Sequence, residues 1–265
     1  PMKKLAAALA LSLLPLAFAA QAEITTTDVV GRKVTVPDVP KRVVLGFYYE
    51  DYLAIAGPGS LDRVVGLSLT TWKDWRPKQF AAYEKALPKL KTLPDVGSTD
   101  DNTFSIEKLI ATKPDLLILA TFSYEALGES VKQIEAAGIP VLVLDYLSQT
   151  VDKHVASTLA LGKIMGQEKR AQELADNYRK AFEDIDARIK KAGPTKKKVY
   201  FELAQKGASE VGNSYGNSMW GALVTRLGGH NIADGQVGNW GPLSPEYVLS
   251  QKPDLIFLAG SEWLN

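Results

Sequence analysis

The chain carries one segment twice, first as Ser105-Ile-Glu-Lys-Leu-Ile-Ala-Thr-Lys-Pro-Asp-Leu-Leu-Ile-Leu-Ala120 and then as Ser244-Pro-Glu-Tyr-Val-Leu-Ser-Gln-Lys-Pro-Asp-Leu-Ile-Phe-Leu-Ala259. Eight of the sixteen positions are identical, and the second copy begins 139 residues after the first (244 − 105). A duplication at this distance indicates that the chain contains the same supersecondary unit in two places.

Each copy predicts a short helix that is followed by a strand. Ser105 and Ser244 stand where a side chain caps a helix N-terminus. Pro114 and Pro253 stand where a helix has to end. The apolar residues after the Pro-Asp pair in both copies predict a buried parallel strand. Two such units, far apart in the chain, indicate two similar α/β lobes.

The remainder of the chain extends this pattern. Short apolar runs at 42–45, 64–67 and 140–144 alternate with helical stretches, and a run at 198–203 begins the second lobe. Residues 167–192 are charged, rich in alanine and free of proline and glycine, so they predict one helix of about 26 residues and roughly 39 Å. We therefore predict two Rossmann-like α/β lobes, at 23–166 and 193–265, joined by a backbone helix at 167–192, with a ligand cleft between them. Because only residues 260–265 follow the second copy, we expect the C-terminal lobe to be incomplete.

The first residues have the features of an export signal. Lys3 and Lys4 precede an apolar run that ends in Ala20-Gln21-Ala22, and this order predicts a cleavable signal peptide at 1–22. Its removal leaves 29 basic residues (31 − 2) against 30 acidic ones, so the mature chain has no basic excess to attract nucleic acid. The chain has no cysteine, which excludes disulfides, thiolate metal sites and a lipidated cysteine. We therefore expect a protein of the periplasm.

Several further motifs occur in a characteristic order. They are Thr27-Asp28, the segments 31–37 and 40–44, the two Ser-x-Glu…Lys-Pro-Asp copies, and the segments 137–141 and 227–231. In this order they resemble the class III, helical-backbone substrate-binding proteins of ABC importers for ferric siderophores, haem and cobalamin. The resemblance implies two α/β lobes joined by one long helix, a small ligand held in the cleft, and a membrane permease as the partner.

The resemblance also implies what the cleft holds. We expect a metal chelate, first of all a ferric siderophore, bound by a monomer that needs no cofactor of its own. Haem and cobalamin are the alternative ligands. The stretch 65–97, which includes Trp72 and Phe80, resembles a subgroup with molybdate- and tungstate-binding members, so an oxyanion is a further alternative.

Two glutamates occupy equivalent positions in the two copies of the repeat. In the family that the chain resembles, Glu107 and Glu246 correspond to exposed glutamates, one on each lobe, that dock onto arginines of the permease. Two carboxylates at a fixed separation also suit bidentate arginine partners. The alternative is that each one only stabilises the first turn of its helix, where an acidic side chain favours the helix dipole.

Candidate ligand-binding residues lie on the loops that follow the predicted strands, because open α/β sheets bind ligands there. Aromatic side chains on such loops suit a large, flat or partly apolar chelate, although each of them has core packing as its alternative. The two histidines, His154 and His230, are far apart in sequence, so a multi-histidine metal cage is excluded. The predicted cleft residues are Tyr48, Tyr49, Trp72, Tyr124, Tyr215, Asn217 and Trp240.

A secreted hydrolase is the alternative from another functional class. It would need a nucleophile, a base and an orienting acid. The sequence contains no G-x-S-x-G elbow, and neither histidine lies in a catalytic setting. We therefore predict that the chain is not an enzyme. A purely structural secreted module is a third alternative, which the duplicated lobes and the rigid connecting helix disfavour.

Overall fold

The computed structural model describes residues 22–193, 195, 197–204 and 212–259. The predicted signal peptide lies outside the described residues except for its last position. The described chain begins with an antiparallel hairpin of β1 (Ile24–Thr27) and β2 (Lys33–Val36). No helix among the described residues is both long enough and apolar enough to cross a membrane.

The N-terminal lobe is built on four parallel strands. They are β3 (Val43–Leu45), β4 (Val64–Leu67), β5 (Leu116–Ala120) and β6 (Val141–Leu144), in the spatial order β4-β3-β5-β6. Alternate side chains belong to two separate buried clusters, with Ile118 in one and Leu117 and Leu119 in the other. This alternation puts apolar residues on both faces of the sheet, which explains why the strands are continuous apolar runs in the sequence.

Helices connect these strands and cover the sheet. The first six of them are α1 (Tyr49–Ala56), α2 (Leu69–Lys73), α3 (Pro77–Ala86), α4 (Ile106–Ala111), α5 (Thr121–Leu127) and α6 (Ser130–Ala136). Short 3-10 turns occur at Ser60–Arg63 and Pro88–Thr92. The helix of the first repeat copy, α4, begins as predicted, because the Ser105 hydroxyl accepts a hydrogen bond from the Lys108 N–H at 3.2 Å.

Two consecutive helices link the two lobes along the chain. After β6 the chain continues through α7 (Val151–Ile164) and then through α8 (Glu168–Ala192), a single helix of 25 residues. The two helices pack closely because Gly162 of α7 lies against Ala171 of α8, where an added Cβ has no room. The helix predicted at 167–192 is therefore present, and its N-terminal half is anchored to the first lobe.

The C-terminal lobe has a mixed sheet. Its strands are β7 (Lys198–Leu203), β8 (Asn213–Tyr215), β9 (His230–Asn231), β10 (Trp240–Pro242) and β11 (Leu255–Ala259), and its helices are α9 (Met219–Arg226) and α10 (Pro245–Gln251). β7 pairs in parallel with β9 and β11, whereas β8 pairs antiparallel with β7 and β10. The second repeat copy thus forms α10 and β11, as the first forms α4 and β5. The α/β fold prediction is confirmed.

One prediction about the second copy is wrong. Its strand, β11, is parallel as expected, but it is not buried: Ile256 is 57% exposed and Phe257 is 50% exposed. At the equivalent place in the first copy, Leu117 and Ile118 are both 0% exposed. The physical reason is the number of strands that lie beside each of the two repeat strands. β5 lies between β3 and β6, while among the described residues β11 has only β7 beside it.

Candidate functional site between the lobes

A cavity of about 280 Å³ lies where the two lobes meet. Most of its wall comes from three segments of the N-terminal lobe, made of loops and helix starts, each of which follows a strand of the parallel sheet. The C-terminal lobe contributes Met219, whose N–H donates a hydrogen bond to the Leu147 carbonyl at 3.1 Å. The lobes therefore touch through their backbones at the cavity, which lies at the carboxyl ends of the parallel strands, where open α/β sheets bind ligands. The lining residues are Phe47, Tyr48, Tyr49, Glu50, Asp51, Thr71, Trp72, Arg76, Gln79, Tyr146, Leu147, Gln149 and Met219.

The backbone is strained at the cavity. Six non-glycine residues of the described chain have positive φ angles, and three of them line the cavity: Tyr48 (57°), Gln149 (56°) and Met219 (46°). A left-handed conformation is unfavourable for such side chains and persists only where the surroundings impose it. Strain of this kind is concentrated at functional sites, so its position marks this cavity rather than another part of the surface.

One wall of the cavity is aromatic. Tyr49 stacks on Trp72 with ring centroids 4.6 Å apart and an interplanar angle of 1°. Phe47 meets Tyr48 edge to face at 5.1 Å and Phe122 at 5.0 Å. These rings hold one another in place, so the wall is rigid, and little of it is accessible, because Phe47, Tyr48 and Tyr49 are only 5%, 4% and 2% exposed.

The tyrosine hydroxyls of this wall are already engaged. The Tyr48 hydroxyl accepts a hydrogen bond from the Tyr146 N–H at 3.1 Å, and the Tyr49 hydroxyl donates to the Ser68 carbonyl. Burial raises the pKa of both phenols far above the ordinary value for tyrosine. Both side chains therefore stay neutral, and neither is available as a phenolate to a metal ion in this arrangement. Of the predicted cleft residues, Tyr48, Tyr49 and Trp72 line the cavity, but Trp72 is only 1% exposed.

Three charged side chains also line the cavity. Glu50 accepts hydrogen bonds from the Trp72 indole N–H at 3.2 Å and from the Arg76 guanidinium at 3.4 Å. Asp51 lies beside Glu50 in the first turn of α1. Burial, and then the negative charge of Glu50, raise the pKa of Asp51 to about 6. The cavity thus combines a compensated ion pair with a carboxyl group that lacks an ion-pair partner among the described residues.

The predicted residues of the C-terminal lobe lie on one ribbon and the loop after it. Tyr215 and Trp240 are direct cross-strand partners in β8 and β10. Burial raises the pKa of Tyr215, and the positive charge of Arg76 acts against this rise, which places Tyr215 within the electrostatic range of the N-terminal lobe. Trp240 is 55% exposed, and Asn217 is exposed on the loop between β8 and α9. Of the three, only Tyr215 is linked to the N-terminal lobe, through the charge of Arg76, and none of them is among the residues that line the cavity.

Tyr124 lies elsewhere. Its ring is covered by the Arg32 guanidinium, 5.1 Å from the ring centroid, and it packs against the buried cluster of Val44 and Leu117. It is not among the residues that line the cavity. The neighbour that points towards the cavity wall is Phe122, which contacts Phe47. The structure therefore does not bring Tyr124 to the other predicted cleft residues.

Sequence reasoning missed Trp75 and the acidic pair. Trp75 is 53% exposed and its ring lies 6.1 Å from that of Phe47, a cavity residue. It stands between α2, which ends at Lys73, and α3, which begins at Pro77. The proline that starts α3 was the available signal, because it predicts a helix start and puts Trp75 in the turn before it. Glu50 and Asp51 were assigned no role from the sequence.

The two repeat glutamates have equivalent surroundings. Glu107 and Glu246 are both exposed, and each lies in the first turn of its helix. The serine two positions earlier caps each helix, and Ser244 accepts from the Tyr247 N–H at 3.1 Å. The structure therefore presents the two carboxylates in the same local geometry on the two lobes.

Other parts of the described chain show weaker indications of a ligand site than the cavity between the lobes. No group of three or more His, Asp or Glu side chains among these residues is arranged to hold a metal ion. His154 is packed between α7 and α8, where it stacks on Tyr178 with a centroid distance of 3.5 Å. A broader depression of about 460 Å³ lies on the surface of α2 and α3. Only the N-terminal lobe forms it, and Lys73, Asp74 and Glu84 are among its lining residues.

Comparisons with known proteins agree with this geometry. The sequence profile of a family described as periplasmic binding protein matches residues 44–265. An uncharacterized ABC transporter substrate-binding lipoprotein, YvrC of Bacillus subtilis (strain 168), is 26% identical over 234 residues, covering 88% of this chain and 68% of YvrC. The molybdate-binding protein MolA of Haemophilus influenzae is 26% identical over 263 residues, covering 92% of this chain and 70% of MolA. The crystal structure of the TroA-like periplasmic binding protein FepB from Veillonella parvula has a TM-score of 0.79 and 31% identity, over 91% of this chain and 70% of that one.

Proposed function

The chain belongs to the class III periplasmic binding protein family, the substrate-binding proteins of ABC transporters, and we propose that it captures a metal chelate, specifically a ferric siderophore, and delivers it to an importer permease. Proteins of this family bind and carry their ligands, so the chain is not an enzyme. The ligand sits between the lobes and contacts both of them.

The proposal is carried by one observation: both lobes carry large aromatic side chains near the cavity between them. The N-terminal lobe contributes the stacked wall and the exposed Trp75, whose ring lies 6.1 Å from that of Phe47, and the C-terminal lobe contributes the exposed Trp240, the cross-strand partner of Tyr215. Large exposed indole rings at such a place are costly in water and favourable against a flat or partly apolar ligand. An iron ion wrapped in an organic chelator offers such a surface, whereas a bare ion does not.

Molybdate is the second candidate ligand, because MolA is described as molybdate-binding and is related to this chain over most of its length. An oxyanion of this size needs convergent hydrogen-bond donors and positive charge rather than aromatic rings. The only cation that lines the cavity among the described residues is Arg76, and it is paired with Glu50. For this reason the chelate is placed first. Haem and cobalamin, which also have large apolar faces, follow as alternative chelates.

A fluorescence titration tests the proposal. The described residues include the tryptophans at 72, 75, 220 and 240, and Trp75 and Trp240 lie where a ligand would quench them. The mature protein is titrated with a ferric trihydroxamate, a ferric tricatecholate, haemin, cyanocobalamin and sodium molybdate, with the iron-free trihydroxamate as the control for the chelator without its metal. We expect saturable quenching by a chelate and none by the control. Quenching by the control or by molybdate alone would contradict the chelate proposal, and silence across the panel would reject it.

We also propose that Glu107 and Glu246 dock the loaded protein onto the permease. Both carboxylates are exposed and lie at equivalent places on the two lobes, so they suit two arginine partners at a fixed spacing. The double variant Glu107→Lys with Glu246→Lys is expected to abolish uptake while leaving chelate affinity unchanged. Glu173→Lys with Glu183→Lys, an equal double charge reversal at exposed positions of α8, is the matched control. Loss of chelate affinity in the double variant, or equal loss of uptake in the control, would refute the docking role.

The site of action follows from the same proposal. Family members are periplasmic binding proteins or lipoproteins, and the export signal predicted at 1–22 favours the periplasm, where we propose that the protein acts as a monomer. Mass spectrometry of the protein purified from the periplasm is expected to find an N-terminus at Glu23. Size-exclusion chromatography with light scattering tests the monomer. A retained N-terminal segment or a stable dimer would contradict these two points separately.

A further inference from the structure

We propose that the cleft selects its ligand by charge, with the Glu50–Asp51 side of the cavity accepting a cationic or hydrogen-bond-donating group, so that neutral or positively charged chelates bind in preference to anionic ones. This inference rests on the proposed function, because it concerns the chelate held in the same cavity. It narrows the substrate class to complexes in which the chelating groups do not leave an excess of negative charge.

The acidic side chains of the cavity wall outnumber the basic ones. Two carboxylates, Glu50 and Asp51, and one guanidinium, Arg76, are the acidic and basic side chains that line it among the described residues. Arg76 lies 3.4 Å from Glu50, which also accepts the Trp72 indole N–H. The charges of Glu50 and Arg76 therefore compensate each other, and the charge that remains belongs to Asp51.

The Asp51 carboxyl group has no ion-pair partner among the described residues. Within the described chain, it also has no hydrogen bond with another residue, and Arg76 acts on it only at longer range. The carboxyl group is half-buried and has no ion pair there. A carboxylate in such a place is left without the solvation that it has in water, and a donor or cation from a ligand restores it.

Asp51 and part of the aromatic wall belong to the same helix start. Asp51 follows Tyr49 and Glu50 at the start of α1, so the wall and the acid belong to one rigid segment. Asp51 lines the same cavity, so a ligand held there has the acid beside it without a further movement of the protein. Apolar contact alone would accept many chelates, and the acid supplies the discrimination among them.

The net charge of a ferric chelate depends on its chelating groups. Hydroxamate groups carry one negative charge each, so three of them balance a ferric ion and give a neutral core, to which an ammonium substituent adds a positive charge. Catecholate groups carry two negative charges each, so three of them leave a trianion, and molybdate is a dianion. An anion next to an uncompensated carboxylate is repelled, and this repulsion is strong where water is partly excluded. The cavity therefore favours the trihydroxamate class.

A matched pair of ligands tests the inference on the unaltered protein. The full mature chain is titrated at pH 7.5 with a ferric trihydroxamate that carries a free ammonium group, and with the same complex after N-acetylation, which removes the charge. A ferric tricatecholate is the third ligand. We expect the ammonium form to bind about tenfold or more tighter than the acetylated form, as a charge-assisted hydrogen bond provides, and the tricatecholate to bind most weakly.

A variant locates the effect. Asp51→Asn keeps the size of the side chain and removes its charge, and Asp152→Asn, at an exposed position in α7, is the matched control. In Asp51→Asn the ratio of the affinities for the ammonium and acetylated forms is expected to fall close to one, whereas the control keeps the ratio of the parent. A ratio measured on one variant is independent of the fraction that is folded.

The outcomes separate this inference from the proposed function. Preference of the parent protein for the tricatecholate, or a ratio unchanged by Asp51→Asn, would overturn the charge selection while the chelate-binding function stands. Failure of the parent protein to bind any of the three chelates would overturn both.

Discussion

The two copies of the repeated segment form the same local structure in different surroundings. β5 and β11 both follow a serine-capped helix and a Lys-Pro-Asp turn, and both pair in parallel with a neighbouring strand. Yet Ile118 in β5 is 0% exposed and Ile256 in β11 is 57% exposed. The sixteen residues of the repeat therefore specify a helix and a strand, whereas the burial of the strand depends on what packs beside it.

The lobes differ in their cores for the same reason. In the N-terminal lobe two clusters of buried side chains enclose the parallel sheet. In the described part of the C-terminal lobe the corresponding cluster consists of Tyr200, Ile232, Ala233, Leu243 and Val248. Because stability follows the apolar area that is removed from water, substitutions in the described core of the N-terminal lobe are expected to cost more than substitutions at exposed positions of the C-terminal lobe.

The largest effect is expected from a comparison of two tryptophans. Trp72→Ala removes a fully buried ring that stacks on Tyr49, and we expect it to lower the free energy of unfolding by about 3–5 kcal/mol. Trp240→Ala, in the C-terminal lobe, removes a ring that is more than half exposed, and a loss below about 1 kcal/mol is expected. Urea unfolding followed by circular dichroism measures both. Equal losses would contradict the contrast between the lobes.

The two strands give the next largest effect. Ile118→Ala leaves a cavity in the centre of the parallel sheet and is expected to cost about 2–5 kcal/mol. Ile256→Ala changes an exposed position of β11 and is expected to cost about 0.5 kcal/mol or less. Both variants remove the same atoms from repeat strands, so each is the control of the other. If Ile256→Ala proved as costly as Ile118→Ala, β11 would be buried in solution.

A smaller effect is expected on the pH dependence of folding stability. Burial lowers the pKa of His154 to about 4, below the value of about 6.5 for an unperturbed histidine. The unfolded chain therefore binds the proton more readily, so this residue makes the protein lose stability as the pH falls from about 6.5 towards 4. The raised pKa of Asp51 acts in the opposite direction between about pH 4 and 6, which is why the prediction concerns a difference between variants.

His154→Phe preserves the ring that stacks on Tyr178 and removes the titrating group. We expect thermal unfolding of this variant to depend less on pH between 4 and 6.5 than that of the parent protein. His230→Gln, which removes the exposed histidine of the C-terminal lobe, is expected to behave like the parent. An unchanged pH profile in His154→Phe, or a flattened one in His230→Gln, would contradict the assignment.

The sequence was a good guide to the architecture because the relevant signals are local. Apolar runs predicted the strands of the N-terminal lobe, and the charged stretch without proline or glycine predicted the helix that the structure places at Glu168–Ala192. The serine caps at Ser105 and Ser244 were predicted from residue type alone, and hydrogen bonds to Lys108 and Tyr247 confirm them. Such features depend on neighbours within a few positions in the chain.

The cleft was harder to predict because side-chain direction depends on tertiary contacts. Trp72 and Trp75 are three positions apart, yet one is in the core and the other is exposed beside the cavity. Tyr124 carries the same ring as Tyr49 but is covered by Arg32. The unpaired state of Asp51 follows from which partner Arg76 takes, and no local pattern specifies that choice. Residue type nominated candidates, and only packing separated the wall of the cleft from the core.

The most direct measurement is the affinity for a ferric trihydroxamate of the parent protein, of Trp75→Ala and of Trp240→Ala, by isothermal titration calorimetry. If the chelate is held between the lobes, both variants remain folded and each binds about tenfold more weakly, because each loses one stacking contact. Unchanged affinity in both variants would show that the ligand doesn't lie between these two surfaces. An effect confined to Trp75→Ala would place it on the N-terminal lobe alone.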